Sequence, residues 1–251
     1  MERVKDYKIS KKYIIQTSKH SVGMQIKYKR NGYYYKVDVA GNEGLVEYLV
    51  TLVLKHSTVQ GFVRYEYCRI NDKYGCRSAD FTNGGTFISA ESLFMSLSGY
   101  EGLAEYIYSF RDEYQRYAEL LKMYASIGIN AEHYLKTTLY LDMLILNTDR
   151  HVKNYGILLN RFGRYEIAPI FDNGLSLNTV PDRNCSCTIC GNFESQVIAT
   201  GYPLNPPFLI NYTSLWSELE KLPNEIKNTR EFCTLCNQLQ KYADIFAMKR
   251  R

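Results

Sequence analysis

Asn31-Gly32 sits between two alternating segments, Met24 to Lys29 and Tyr33 to Val39. An Asn-Gly pair in that setting is a strong hairpin signal, because a two-residue turn needs positive φ at both positions and these residues tolerate it. The pair commits the start of the chain to an antiparallel sheet. Tyr13-Ile14-Ile15 adds a short apolar run before it. Further β-like segments are expected at Val59 to Ile70 and around Cys76 to Phe81, with a turn over Asn71-Asp72-Lys73-Tyr74-Gly75. Between these, Leu45, Tyr48, Leu49, Leu52 and Val53 recur at helical spacing from Asn42-Glu43 to about His56.

After Thr82-Asn83-Gly84-Gly85 the pattern turns mainly helical. Gly102 to Ala125 is amphipathic, and Glu132 to Leu146 places Leu135, Leu139, Met143 and Leu146 on one stripe. Two short strands, Gly156 to Leu159 and Tyr165 to Ala168, flank the turn at Arg161-Phe162-Gly163-Arg164. Asp172 to Pro207 is loop-rich, and Leu215 to Leu222 and Glu225 to Ala247 read as closing helices. The fold class is therefore α+β with two lobes. Residues 1–84 form a β-rich N-lobe with one helix, residues 85–251 a helical C-lobe, and the cleft between lobes is the expected site.

Composition narrows the function. With 45% hydrophobic residues and a net charge of +5 over 251 residues, the chain is too apolar to be disordered. It is also too weakly basic for a dedicated nucleic-acid module, so no direct nucleic-acid binding is expected. The start is polar, and the longest apolar stretch, Leu139 to Leu146, is interrupted by Asp142. The expectation is a cytoplasmic protein without a membrane partner. Seven cysteines argue against a disulfide framework. Cys187/Cys190 and Cys233/Cys236 have the spacing of zinc ligands, but packed or idle thiols are the favoured reading. The 23 tyrosines against one tryptophan suit much half-buried surface.

The informative stretch is Asn147-Thr148-Asp149-Arg150-His151-Val152-Lys153-Asn154-Tyr155-Gly156. Asp149 and Asn154 have Asp-x-x-x-x-Asn spacing. In phosphotransferases of the protein-kinase type that Asp accepts the proton of the attacking hydroxyl and the Asn binds Mg²⁺. Beyond the small hairpin lies Asp172, in Pro169-Ile170-Phe171-Asp172-Asn173-Gly174, where such an Asp binds the metal that bridges the β- and γ-phosphates. Each residue alone could cap a helix or a turn. The order helix, Asp-x-x-x-x-Asn, hairpin, apolar-Asp-x-Gly, behind a β-rich lobe with a mid-strand Lys36, favours a kinase-like site binding ATP and Mg²⁺.

Asp149 to Asn154 and Ile167-Ala168-Pro169-Ile170-Phe171-Asp172 resemble the C-terminal signature of the HipA-like serine/threonine kinases, in particular a short branch of that family. The Asp-Arg-His element also resembles the catalytic loop of phosphatidylinositol 3- and 4-kinases. The resemblance covers most of the chain from about Gly23 and is strong only over residues 147–174. It implies Asp149 as catalytic base, Asn154 and Asp172 as Mg²⁺ ligands, and His151 against the γ-phosphate or the acceptor hydroxyl. Lys153 matches a Lys often seen in the pattern. Lys36 would contact the α- and β-phosphates and pair with a Glu of the following helix; Glu47 is favoured slightly over Glu43.

The chain has no Gly-x-Gly-x-x-Gly. Instead, Gly23-Met24-Gln25-Ile26-Lys27 resembles the HipA-type phosphate loop, so Gly23, Gln25 and Lys27 would cradle phosphates. His20 stands where relatives carry an autophosphorylated Ser, with Ser18 and Ser21 nearby. Adenine would stack around Arg77 to Phe81. A protein substrate is expected. An antitoxin partner is not implied, since the region of HipA preceding the phosphate loop has no counterpart here. A lipid or small-molecule kinase and a nucleotide-binding pseudokinase remain the alternatives, with a zinc-dependent nucleic-acid binder behind them.

Overall fold

The computed structural model describes residues 4–15, 25–100, 102–180 and 205–247. It divides into two compact units. The first comprises residues 1–81, 172–183 and 209–251, and the second residues 82–171 and 184–208. Residues 209–251, assigned from the sequence to a C-lobe, thus belong with the first unit.

The first unit is built on a five-stranded sheet. Its strands are β1 (Lys5–Tyr7), β2 (Lys27–Arg30), β3 (Tyr33–Val37), β4 (Tyr65–Ile70) and β5 (Lys73–Ala79), in the order β1-β4-β5-β3-β2. Among the described strands of this sheet only β1 and β4 pair in parallel. Both hairpin turns are two-residue turns with positive φ, at Asn31 (51°) and Gly32 (75°), and at Asn71 (50°) and Asp72 (69°). The second turn is tighter than the sequence suggested, because Lys73 to Gly75 already belong to β5. Val59 to Val63 precede β4 rather than extend it. Ile14 makes only an isolated bridge to Tyr28, after a 3-10 turn at Lys11–Tyr13.

Strand alternation gives the sheet two faces. One buries Ile9, Tyr28, Tyr35, Val37, Cys68 and Ile70 under Tyr7, Tyr13 and Tyr33. There the Arg77 guanidinium lies over the rings of Tyr7 (4.7 Å) and Tyr33 (4.6 Å) and donates to Glu66 (2.8 Å). Five of the 23 tyrosines lie on this face. The other face carries Lys36 and packs against helix α1 (Glu43–Lys55).

Helix α1 is buried on nearly all sides, from Glu43 to Leu54. It can lie this close because two glycines meet: a Cβ on Gly44 would fall 2.3 Å from the Gly75 carbonyl carbon. Of the C-terminal helices α6 (Tyr212–Leu219), α7 (Asn224–Lys227), α8 (Arg230–Lys241) and α9 (Ala243–Phe246), α6 and α8 pack against α1, while α7 and α9 pack against α8. Helix α6 carries the single tryptophan, Trp216. Asn211 donates its backbone N–H to the His56 carbonyl (2.7 Å), and Lys55 and His56 both meet Glu218. These bonds explain why this segment closes the first unit. The long helix expected from Glu225 to Ala247 is broken where the Thr229 side chain caps α8 by accepting from Phe232 N–H (3.2 Å).

The second unit contains a three-stranded antiparallel sheet, β6 (Thr86–Ser89), β7 (Gly156–Leu159) and β8 (Tyr165–Ile167), with β7 central. Its helices, between β6 and β7 in sequence, are α2 (Ala90–Ser98), α3 (Leu103–Ser109), α4 (Glu113–Ser126) and α5 (Glu132–Ile145). The expected single helix from Gly102 to Ala125 divides because Phe110 is extended and Asp112 caps α4. Leu135, Leu139 and Met143 are buried as the stripe required, but almost every other residue of α5 is buried too. Among the described residues no helix is long and apolar enough to cross a membrane.

Two outcomes test this packing. Gly44→Ala, whose Cβ would fall 2.3 Å from the Gly75 carbonyl carbon, is expected to lower the stability of the first unit by about 1–3 kcal/mol through overpacking; an unchanged thermal melt would mean that α1 and β5 do not meet there. Asp38, which accepts from Gly44 N–H (2.7 Å), leaves Oδ2 buried without a partner among the described residues. Burial, with Glu43 nearby, raises its carboxyl from 3.8 to about 7, although the Gly44 bond opposes the shift. A raised acid makes the folded state hold its proton longer, so this group's contribution to stability falls as pH rises from about 4 to 7. Asp38→Asn keeps the acceptor and should flatten that slope in urea titrations across pH, with its largest relative gain above pH 7.

Candidate active site

In the first unit, Lys36 lies mid-strand on the α1 face of the sheet, opposite Cys76 of β5. Its Nζ donates to Asp172 Oδ1 (2.6 Å) and Glu47 Oε1 (3.0 Å), and reaches the Tyr65 hydroxyl (3.4 Å). The Lys36 side chain is only 13% exposed and that of Glu47 2%. Burial disfavours the ammonium, but the Asp172 and Glu47 carboxylates outweigh it and hold Lys36 well above the ordinary lysine range. Glu47 Oε2 also accepts the backbone N–H of Asn173 (3.0 Å), so one carboxylate grips both the lysine and the segment bearing Asp172.

Glu43 does a different job. Its carboxylate accepts from the backbone N–H groups of Val39 (3.2 Å), Ala40 (2.8 Å) and Gly41 (3.1 Å), ordering the loop that leads into α1. Helical spacing puts Glu43 and Glu47 on one face, and the structure separates them: Glu47 meets Lys36, Glu43 the loop.

Lys27 stands directly opposite Lys36 on the neighbouring strand and shares its face. Burial and the Lys36 charge lower its pKa. Two ammonium groups on one face, one of them without a carboxylate of its own among the described ion pairs, make a surface suited to a polyanion. Gln25 is half-buried just ahead of β2. Gly23, with Ser18, His20 and Ser21, lies outside the described residues. Arg77 is placed on the tyrosine face, opposite Lys36, and is committed to Glu66, so it is not available to stack a base beside Lys36. Phe81 is half-buried at the end of the first of the three segments that make up this unit.

In the second unit the residues after α5, from Asn147 to Asn154, hang on one buried ion pair that the sequence reading missed. Asp142 of α5 and Arg150 are both fully buried, with Nε–Oδ2 at 3.0 Å. Asn147 Nδ2 donates to Asp142 Oδ1 (2.9 Å), and Asn147 Oδ1 accepts from Asp149 N–H (3.0 Å). Arg150 Nη1 donates to the carbonyl of Phe171 (2.7 Å), the residue that immediately precedes Asp172 in the chain. The signal was present in the sequence: a carboxylate inside the apolar run Leu139 to Leu146 requires a buried partner.

Asp149 and His151 are half-buried in this loop. Asn154 is 5% exposed; its backbone N–H donates to His151 O (2.8 Å) and its Nδ2 to Asp149 O (3.2 Å). The side-chain amide is thereby oriented by its nitrogen, which leaves the oxygen as the atom suited to a hard cation. Asp172 holds a left-handed backbone (φ 62°) and its side chain is 33% exposed. An Asp carboxylate and an Asn oxygen are the hard donors Mg²⁺ takes when substrate phosphates complete its shell. Among the described residues no group of three or more His, Cys, Asp or Glu forms a self-sufficient metal site. Cys233 and Cys236 are free thiols on α8, and Cys187 and Cys190 lie outside the described residues.

Removing one partner of the buried pair should unfold the loop's anchor. Asp142→Ala is expected to lower stability by about 3–5 kcal/mol, read as a lower urea midpoint by circular dichroism; a wild-type midpoint would show that the pair does not form.

No protein-family model matches the sequence, and no curated protein matches it. Among solved structures, HipA of Shewanella oneidensis MR-1, in its complex with HipB and operator DNA, matches with a TM-score of 0.41 and 13% identity over 97% of this chain and 62% of that one. The Helicobacter pylori proinflammatory kinase CtkA is similar over 97% of this chain and 96% of that one, with a TM-score of 0.67 and 16% identity. The resemblance read from residues 147–174 and this structural likeness agree: the chain has the α+β, two-lobed fold of the Helicobacter kinase.

Proposed function

We propose that this chain is a Mg-ATP-dependent kinase that transfers the γ-phosphoryl group of ATP to serine or threonine hydroxyls of a protein substrate. The observation that carries the reading is the convergence of Glu47 and Asp172 on the buried Lys36. A lysine held charged by two carboxylates, on a strand face shared with a second lysine, is arranged to receive phosphates. The likeness in fold to a kinase supports the same reading.

In this reading Lys36 and Lys27 bind the ATP phosphates, with Gly23 and Gln25 contributing to the phosphate loop and Phe81 to the adenine pocket. Glu47 fixes the Lys36 ammonium. Asp149 accepts the proton of the acceptor hydroxyl at its carboxylate as the oxygen attacks, and His151 orients that hydroxyl or the γ-phosphate. Asp172 and Asn154 would hold Mg²⁺. The bound cation would offset the charge on the β- and γ-phosphate oxygens, which is the main electrostatic demand of phosphoryl transfer.

The test uses purified protein with Mg²⁺, γ-labelled ATP and a generic protein acceptor. Asp149→Ala is expected to lower label transfer by about 10²–10⁴-fold, the usual worth of a general base. Asp172→Ala should abolish Mg²⁺-dependent transfer. Turnover that persists in Asp172→Ala would overturn the mechanism.

A further inference from the structure

The segment after Asp172 is held in an unusual backbone. Asp172, Leu177 and Asn178 all have positive φ (62°, 55° and 56°), and the Leu177 side chain is fully buried. A buried leucine in the left-handed region persists only where its surroundings over-determine it. The contacts that do so come from the far end of the chain. Thr179, 3% exposed, donates its hydroxyl to Glu231 Oε1 (3.1 Å) at the start of α8. The same hydroxyl accepts the backbone N–H of Asn42 (3.1 Å), the residue preceding α1. Asn42 Nδ2 donates to the other oxygen, Glu231 Oε2 (3.2 Å). Arg230 Nη2 donates to the Thr179 carbonyl (3.0 Å) and lies 3.6 Å from the Glu231 carboxylate.

Glu231 is 2% exposed. A carboxylate buried that deeply is tolerated only with its lone pairs used, and here both oxygens are. The two groups it joins are the lead-in to the helix that carries Glu47 and the segment that carries Asp172. The approach is close: a Cβ on Gly41 would fall 2.7 Å from the Thr179 carbonyl oxygen and 3.0 Å from its hydroxyl. Gly174, on the same segment, packs against Glu43 of α1. Helix α1 and residues 172–180 are therefore fastened at two places, at Glu47 with Asn173 and at Glu231 with Thr179.

We propose that Glu231 is a positioning residue. With Thr179 and Asn42 it forms a clasp that sets the backbone of residues 172–180 against α1, so that Asp172 and Glu47 arrive together at Lys36. The catalytic part of this proposal rests on the kinase reading; the clasp itself does not. The clasp also gives the C-terminal helix α8 a task in the site, although it contributes no group that touches substrate.

Thr179 gives the sharper test, because valine has its shape without the hydroxyl and serine keeps the hydroxyl. Hydrogen exchange followed by mass spectrometry on the full chain should show residues 172–180 exchanging faster in Thr179→Val and Glu231→Ala, while α5 stays unchanged. Kinase assays on the same proteins should show kcat down by about 10–100-fold, the scale of a misplacement near 1 Å, with the KM for ATP changed far less. Thr179→Ser should restore both measurements to near wild type. Wild-type exchange in Thr179→Val would overturn the clasp. Faster exchange with an unchanged kcat would reduce it to a structural fastening and overturn the positioning role. If the wild-type chain transfers no phosphate, the kinase reading falls, and the exchange data still decide whether Glu231 sets the Asp172 segment.

Discussion

A lysine ammonium buried between two carboxylates is the interaction around which the first unit is arranged. Glu47 and Asp172, both within 3.0 Å of Lys36, favour its charged form, and each is brought there by different means. Glu47 arrives on a helix whose backbone rests on the sheet at Gly44 and Gly75. Asp172 arrives on a segment bent through left-handed backbone. A buried cation left without either partner would be strongly destabilising, so the sheet, α1 and the Asp172 segment are energetically tied.

The same logic recurs in the second unit. Asp142 and Arg150 neutralise each other at zero exposure, and the remaining hydrogen-bonding capacity of the pair is spent on Asn147 and the Phe171 carbonyl. A buried ion pair is weak evidence of stability, but here its further bonds tie together two segments, the one at Asn147 and the one that leads into Asp172. In both units, then, buried charge fixes loops, while the apolar residues fill the space between elements. The tyrosine face of the first sheet is the intermediate case, where Arg77 lies between two rings and still reaches Glu66.

What the sequence disclosed follows from how local each signal was. The Asn31-Gly32 hairpin and α1 were legible because turn chemistry and period are written over adjacent residues. Lys36, Asp149, Asn154 and Asp172 stand in the sequence as an ordered set, and the structure brings Lys36 and Asp172 of that set into contact. Strand β1 was not legible, having three residues and a parallel partner far along the chain. The break between α3 and α4 was available in Asp112, a cap residue, but the amphipathic pattern runs through it. The choice between Glu43 and Glu47 needed the structure, since both satisfy helical spacing. Glu231 carried no sequence signal at all; its meaning depends on Thr179 and Asn42, neither of which is near it in sequence.

The uneven distribution of aromatic residues has a practical side. Trp216 is the only tryptophan, and it lies on α6 in the first unit, whereas tyrosines occupy both units. Indole emission therefore reports the unfolding of the first unit alone, while far-ultraviolet dichroism, dominated by helix, reports both units. Superimposable denaturation curves from the two signals would mark one cooperative transition, and separated curves would give each unit its own stability without any label being introduced.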